Sequence, residues 1–340
     1  MRFFCPFLLL SVFLVSCVGH TESDPVREYA ISKSVRMHVE LIKPNDCILD
    51  GKYLIVHDAG AHDGYIKVVD IRKDTIVNSF LPHGQGPDDA LSITSMSVSD
   101  GHLFVLDNMR QRLAAYSLDS IEEYGKQTFE YAQPWPESGS VLSFTTAGDR
   151  YVISRLGTVE KFSILDRDLH ERGHGGSYLP SPSGTDPHDN NARSLADAGK
   201  TCVSPDRKHL VDIVFKACAI SCYDIAGDSM RQEWSHLLEP YKYTSDGPYI
   251  QSEGNLGYKS VSITDSLIYG LYCGKPREKG SWATSGSTIH VYDYNGTMLR
   301  KINLDEPAVR ICVSGDDRTL YTLNFEVDPS VCIYQLDSIK

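Results

Sequence analysis

The chain has 340 residues, and its formal net charge of −12 at pH 7 comes from 45 acidic and 33 basic side chains. This acidic balance disfavours nucleic acid as a partner, and it disfavours broad electrostatic attraction to anionic lipid. The length allows either one large domain or two domains of ordinary size.

The first residues have the pattern of an export signal. Arg2 supplies a positive charge, and the segment from Phe3 to Val15 is almost wholly apolar. A run of this length is typical of a signal peptide, whereas a membrane-spanning helix needs about 20 apolar residues. We therefore predict that residues 1–16 are a signal peptide and are removed on export.

The signal ends in Leu14-Val15-Ser16-Cys17, which resembles the lipobox of bacterial lipoproteins. The resemblance implies that Cys17 carries the lipid, including palmitate-type acyl chains, and so anchors the protein to a membrane. A secreted protein with a chance cysteine is the alternative. Residues 17–28 are polar and contain Pro25, so we predict a lipidated tether there and a folded domain over residues 29–340.

Cysteine is frequent for an exported chain, with nine residues in all. Cys5 leaves with the signal and Cys17 takes the lipid, so an odd number remains and at least one thiol is unpaired. Cys218 and Cys222 lie four apart in an apparent strand, too distant for a disulfide. Because no C-x-x-C spacing occurs, we predict buried thiols and no cofactor rather than a zinc or redox site.

A repeated unit fills the rest of the chain. An apolar run, a tight polar turn with an aspartate and a second apolar run recur six times, at intervals of roughly 50–60 residues. Two further strand-like runs follow in most units, and four short strands per unit are typical of a propeller blade. We therefore predict an all-β fold, a six-bladed β-propeller. The turn aspartates are Asp50, Asp100, Asp149, Asp206, Asp265 and Asp316.

The sixth unit lacks a fourth strand before the chain ends at Lys340, while Ala30–Lys43 is strand-like and precedes the first turn. We predict that this N-terminal segment supplies the outer strand of the last blade. It would close the ring and remove the exposed sheet edges of an open ring.

Two segments support a family resemblance: residues 81–89 (LPHGQGPDD) after the first unit and residues 268–275 (IYGLYCGK) in the fifth. With the lipobox and the six units, they make the chain similar to the TolB-like six-bladed propeller lipoproteins of Bacteroides-type bacteria. Ala90 stands where that family usually has an aromatic residue. The resemblance implies a lipid-anchored protein of the cell envelope, at the outer membrane on an undetermined side, and implies no particular activity.

Loop length differs between the two faces of the predicted ring. The connections between second and third strands, and between blades, are long and would lie on one face, which we expect to carry function. They are Asp58–Gly64, Leu81–Leu91, Ala132–Ser140, Gly173–Ala198, Glu239–Gly257 and Gly274–Ser287.

One of these loops carries four candidate metal ligands, His57, Asp58, His62 and Asp63. Imidazole and carboxylate groups suit zinc, and a solvated turn is the alternative. The remaining loop histidines, His170, His174 and His188 beside Asp189, are predicted to be exposed.

Three cations mark the predicted channel mouth. Lys200, Lys259 and Arg310 each stand six residues before a turn aspartate, and together they predict an anionic ligand such as a carboxylate or sulfate group. Their alternative role is pairing with nearby acids. Among the loop aromatics, Trp135, Tyr243 and Trp282 are candidates for stacking on a ligand, with packing between blades as the alternative.

Asp-Ser/Thr-apolar triplets resemble the O-glycosylation signal of Bacteroides-type exported proteins, although aspartate and serine also favour turns. Their candidate acceptors are Thr75, Ser120, Ser229, Ser266 and Ser338.

These features favour a non-catalytic envelope module that binds a ligand, a protein or a glycan, without nucleic acid. The alternative is a propeller enzyme (a lactonase, a lyase or a glycan-active enzyme) using the long-loop face. Metal-dependent propeller lactonases need His or carboxylate ligands on the inner strands, and the five inner strands inferred for units two to six contain none.

Overall fold

A computed structural model describes residues 26–122, 129–134, 140–180, 189–241, 255–276, 285–325 and 328–337. Two short strands, β1 (Arg27–Ile31) and β2 (Val35–Arg36), come before the first repeat unit. No helix in these ranges has the length and hydropathy of a membrane span.

The six repeat units form six antiparallel meanders, in which consecutive strands pair side by side. The strands of the first three blades are β3 (Pro44–Asp50), β4 (Tyr53–Asp58), β5 (Ile66–Asp70), β6 (Thr75–Phe80), β7 (Ile93–Ser99), β8 (His102–Asp107), β9 (Arg112–Ser117), β10 (Phe129–Pro134), β11 (Val141–Ala147), β12 (Arg150–Arg155), β13 (Phe162–Leu165) and β14 (Glu171–Gly175).

The only helix in the described ranges, α1 (Asn190–Ala196), lies between the third and fourth blades. The remaining strands are β15 (Gly199–Val203), β16 (His209–Val214), β17 (Ala219–Ala226), β18 (Ser229–Leu237), β19 (Tyr258–Ile263), β20 (Ile268–Tyr272), β21 (Gly286–Tyr292), β22 (Met298–Ala308), β23 (Arg310–Val313), β24 (Thr319–Asn324) and β25 (Ser330–Gln335). The predicted six-bladed propeller is confirmed.

The turn between the first two strands of each blade holds the predicted aspartate. In the second blade, Asp100 and Gly101 both have positive φ, 51° and 73°. Such angles suit the two-residue hairpin turn that matches the twist of its strands. The fourth and sixth blades use a different turn, in which Asp206 and Asp316 each accept a hydrogen bond from a serine hydroxyl, that of Ser204 and Ser314 respectively.

The core of the protein lies between the blades. Six buried apolar clusters each combine side chains from two neighbouring blades, including the seam between the last blade and the first. Burial of this apolar surface is the main force that holds one blade to the next. All seven described cysteines are free thiols, and six of them are buried, as predicted.

The N-terminal segment closes the ring. Val35 and Arg36 of β2 pair antiparallel with β25, so β2 is the outer strand of the sixth blade, and the predicted closure is confirmed. The rest of the predicted segment has two other roles. Before β2, strand β1 pairs parallel with β22 as a fifth strand of blade five. After β2, Met37, Val39 and Leu41 alternate with exposed residues and enter the core between blades six and one.

Candidate functional site

The innermost strands β3, β7, β11, β15, β19 and β23 form a ring, in which each contacts the next and β23 contacts β3. These strands start on the face of the long loops and end at the tight turns. Lys200 and Lys259 are second in β15 and β19, and Arg310 is first in β23. The structure therefore places the three predicted cations at one mouth of the channel.

Asp46 of β3 lies beside two of these cations. Its carboxylate accepts a hydrogen bond from the Lys200 ammonium, and its Oδ1 lies 3.6 Å from Nε of Arg310. Burial alone would raise the pKa of Asp46, but the charges of Lys200 and Arg310 outweigh it and hold this pKa below its usual value. The carboxylate therefore stays ionised and offsets part of the positive charge.

Asp46 was not among the predicted site residues, because the prediction for the inner strands covered units two to six only. The inner strands of those five units contain no His, Asp or Glu, as predicted, whereas the inner strand of the first unit, β3, contains aspartate. A signal was available, since Asp46 stands four residues before the turn residue Asp50. Lys200 and Arg310 therefore pair with a nearby acid, which was the alternative role for these cations.

Arg310 and Lys259 are also linked through the main chain. Nη1 of Arg310 donates to the carbonyl oxygens of Lys259, at 3.1 Å, and Val309, at 2.8 Å. Nε of Arg310 is buried and has no hydrogen-bond partner among the described residues. A buried donor of this kind is uncommon in proteins, and it marks a place where an acceptor fits.

His57 lies beside the same mouth, near the end of β4. Burial lowers its pKa to about 4, and the charge of Arg310 acts in the same direction, against the carboxylates of Asp46 and Asp58. The imidazole is therefore neutral at neutral pH. Positive charge at the mouth comes from Lys200, Lys259 and Arg310.

The four candidate metal ligands do not come together. Asp58 is buried and accepts backbone N–H groups of Ile42 and Lys43, at 2.8 and 2.6 Å, so it fixes the chain as it enters the first blade. Asp63 pairs with Lys67 at 2.5 Å, while His62 is exposed. Groups of three ligand atoms within 4.8 Å of one another occur elsewhere in the described ranges. Asp58 has a structural counterpart in the second blade, where Asp107 binds two backbone N–H groups in the same way.

The three candidate aromatic residues, Trp135, Tyr243 and Trp282, lie outside the described residues. Tyr241, which precedes Tyr243 closely in the sequence, is buried, and its hydroxyl donates to the Pro180 carbonyl at 2.5 Å. This tyrosine therefore packs in the interior of the protein and does not present its ring to a ligand.

The other predicted polar residues lie on the surface. His170 and His174 are exposed and each faces a carboxylate, while Asp189 caps the start of α1. Among the candidate glycan acceptors, Thr75, Ser229 and Ser266 are exposed and Ser120 is half-buried, all at turns opposite the long loops. His188 and Ser338 lie outside the described residues. Glycosylation stays a prediction.

Comparison with solved structures agrees with the fold. A protein of Bacteroides fragilis whose structure is described as that of an exported protein is 12% identical, with a TM-score of 0.59; the match covers 91% of this chain and 99% of that one. The Swd1 β-propeller domain of Myceliophteria thermophila is 10% identical with a TM-score of 0.53, covering 89% and 98%. No curated protein matches the chain by sequence.

A family model gives the more specific result. The model described as TolB-like 6-blade propeller-like matches residues 28–316, which include all six turn aspartates. The match begins one residue after the start of β1 and extends into the sixth blade. The chain therefore belongs to the TolB-like six-bladed propeller family.

Proposed function

We propose that the protein is an exported, lipid-anchored binding module of the cell envelope, and that its channel mouth holds an anionic ligand. The observation that carries the ligand class is the excess of positive charge at this mouth. Two cationic side chains, those of Lys200 and Arg310, share one carboxylate, that of Asp46, and Lys259 stands near the start of the inner strand between theirs, in a chain whose overall charge is −12.

The energetics favour an added anion. Lys259 is only 8% exposed, and the side chains of Lys200 and Arg310 are 21% and 17% exposed. Removing these cations from water costs free energy, and the single carboxylate that Lys200 and Arg310 share offsets only part of that cost for the two of them. A carboxylate or sulfate group bound there would accept charged hydrogen bonds and lower the remaining cost. The class of ligand we propose is therefore an acid, such as a sugar acid released from a glycan.

The same charges argue against the enzyme alternative. A metal-dependent propeller enzyme needs free carboxylates on its inner strands. The described inner strands carry two acids, Asp46 and Asp50, both in β3: Asp50 lies at the tight turn, at the other end of the strand, and Lys200 and Arg310 already engage Asp46. Binding without catalysis is therefore the function that we favour.

Calorimetry with glucuronate as probe tests the ligand class, with glucose as the neutral counterpart and inorganic sulfate as the second anion. We expect saturable binding of glucuronate and none of glucose. Lys259→Gln should weaken binding by about tenfold or more, the loss of one charged hydrogen bond. Lys200→Gln, at a more exposed site, provides a second variant.

Lys301→Gln is the matched control, because Lys301 pairs with Glu28 at the outer edge of blade five, away from the mouth. The ligand proposal fails if neither anion binds, or if both mouth variants bind glucuronate as the parent protein does.

The anchor is tested separately. Cys17 follows the apolar run from Phe3 to Val15 and precedes a polar tether. In a Gram-negative host, the parent protein should sediment with the membrane fraction, and Cys17→Ala should move it to the soluble fraction. If the intact mass of the parent protein, extracted from the membrane, shows no added lipid, the anchor is contradicted. The ligand proposal is unaffected by that result.

A further inference from the structure

A second group of polar side chains lies in the fourth blade, away from the channel mouth. His209, Cys222 and Glu233 come from β16, β17 and β18, and one ligand atom of each lies within 4.8 Å of the others. The group faces the seam between blades four and five, where Cys222 is buried in the apolar cluster of that seam.

Strand register puts His209 and Cys222 on the same side of the sheet. His209 pairs with Asp224, and Cys222 is two residues from Asp224 along β17. Because side chains alternate between the two faces of a strand, residues two apart point the same way. The thiol and the imidazole therefore share one face.

Glu233 joins them because β18 is irregular at this point. Cys222 pairs with Trp234 and Tyr223 pairs with Gln232, so Glu233 is an extra residue in the strand, a β-bulge. A bulge redirects a side chain that a regular strand would send to the other face. Glu233 Oε2 lies 3.4 Å from His209 Nδ1.

The imidazole has an unsatisfied nitrogen. Nδ1 of His209 is buried and has no hydrogen-bond partner among the described residues. The ring packs against that of Tyr294 in blade five, with centroids 4.8 Å apart, and the Tyr294 hydroxyl donates to the Thr264 carbonyl at 2.6 Å. The ring is thus held beside the thiol and the carboxylate, and its Nδ1 makes no hydrogen bond to either group.

An imidazole, a thiol and a carboxylate are the donors that zinc prefers, with bonds of roughly 2.0–2.3 Å. A thiol disfavours magnesium and calcium, which take oxygen ligands. The other three-residue group of the described ranges, Asp166, Asp168 and His170, is a weaker candidate. Its central carboxylate, that of Asp166, already accepts two backbone N–H groups and pairs with Arg172.

We propose that His209, Cys222 and Glu233 bind one zinc-class divalent metal ion at the seam between blades four and five. The thiol loses its proton when the metal binds, and the three protein ligands leave one coordination position for water. All three ligands belong to blade four, so the bound metal would tie its three outer strands together, beside the wall that Tyr294 of blade five contributes.

Cobalt(II) titration of metal-free protein tests this site, because a thiolate ligand gives cobalt a charge-transfer absorption band. We expect one equivalent to bind with this band, and Cys222→Ser to abolish it. Glu233→Gln should weaken zinc binding by at least about 100-fold, since even outer-shell changes cost roughly 10–100-fold.

Cys332→Ser is the matched control, a buried thiol in another blade that should leave the band unchanged. Glu233 lies at the surface, so the Glu233→Gln variant should fold and can test the site even if Cys222→Ser proves unstable. The proposal is overturned if cobalt gives no thiolate band, or if the band and the zinc affinity survive both substitutions.

Discussion

Asp212→Asn should lower the free energy of unfolding by about 3–5 kcal/mol, the usual cost of leaving one buried charge without its partner. Lys161 of blade three donates to Asp212 of blade four at 2.5 Å, and their side chains are 5% and 4% exposed. Burial would lower the pKa of Lys161, but the charges of Asp212 and Asp197 outweigh it and keep this pKa above its usual value. The ammonium therefore stays charged and needs the carboxylate.

Urea denaturation measures this cost. Asp149→Asn is the matched control, because Asp149 pairs with Arg150 while its side chain is 80% exposed, and such pairs contribute about 0–1 kcal/mol. The double variant Lys161→Met with Asp212→Leu should recover part of the loss, since it removes both charges. Equal effects of Asp212→Asn and Asp149→Asn would show that the buried pair has no special role.

Acid should destabilise the protein through two buried histidines. Burial lowers the pKa of His57 and of His290 to about 4. In the unfolded chain the value is about 6.5, so the unfolded state takes up protons first as the pH falls. Stability is therefore lost below about pH 6.5, down to the folded pKa near 4. From pH 7 to pH 5 we expect about 2 kcal/mol per histidine.

The surroundings of these histidines explain the low pKa values. Arg310 adds to the effect of burial at His57, while Asp46 and Asp58 oppose it. Nδ1 of His290 lies 2.9 Å from the Tyr258 hydroxyl, and the charge of Lys301 adds to burial.

The free energy of unfolding of each variant, His57→Gln or His290→Gln, is compared with that of the parent protein at pH 7 and at pH 5. The change in this difference between the two pH values gives the contribution of that histidine. The comparison is needed because other groups of the protein also titrate as the pH falls from 7 to 5. A parent-minus-variant difference that is the same at both pH values would contradict the prediction.

The features that sequence predicted well are local or periodic. The turn aspartates and the strands around them recur within each unit, so the number of blades can be read along the chain. The closing strand was also predictable, because the last unit lacks an outer strand and the strand-like segment Ala30–Lys43 precedes the first turn.

Features that depend on two distant strands were not predictable in the same way. Asp46 meets Lys200 across the channel, 154 positions away in the chain. The bulge at Glu233 depends on strand register, which no residue type in β18 reveals. Asp58 was read as a metal ligand because its type fits one, whereas the structure uses its carboxylate to bind backbone N–H groups.

Ring closure through β2 has a consequence for how the chain folds. Val35 pairs with Ile333, so this contact forms only after nearly the whole chain is available. Contacts between residues so far apart in sequence carry a large loop-closure entropy, and they slow folding. We expect the first five blades to form by local pairing and the sixth to join last. Until then, the outer edge of β25 is an unpaired strand edge that a second unfolded chain can occupy.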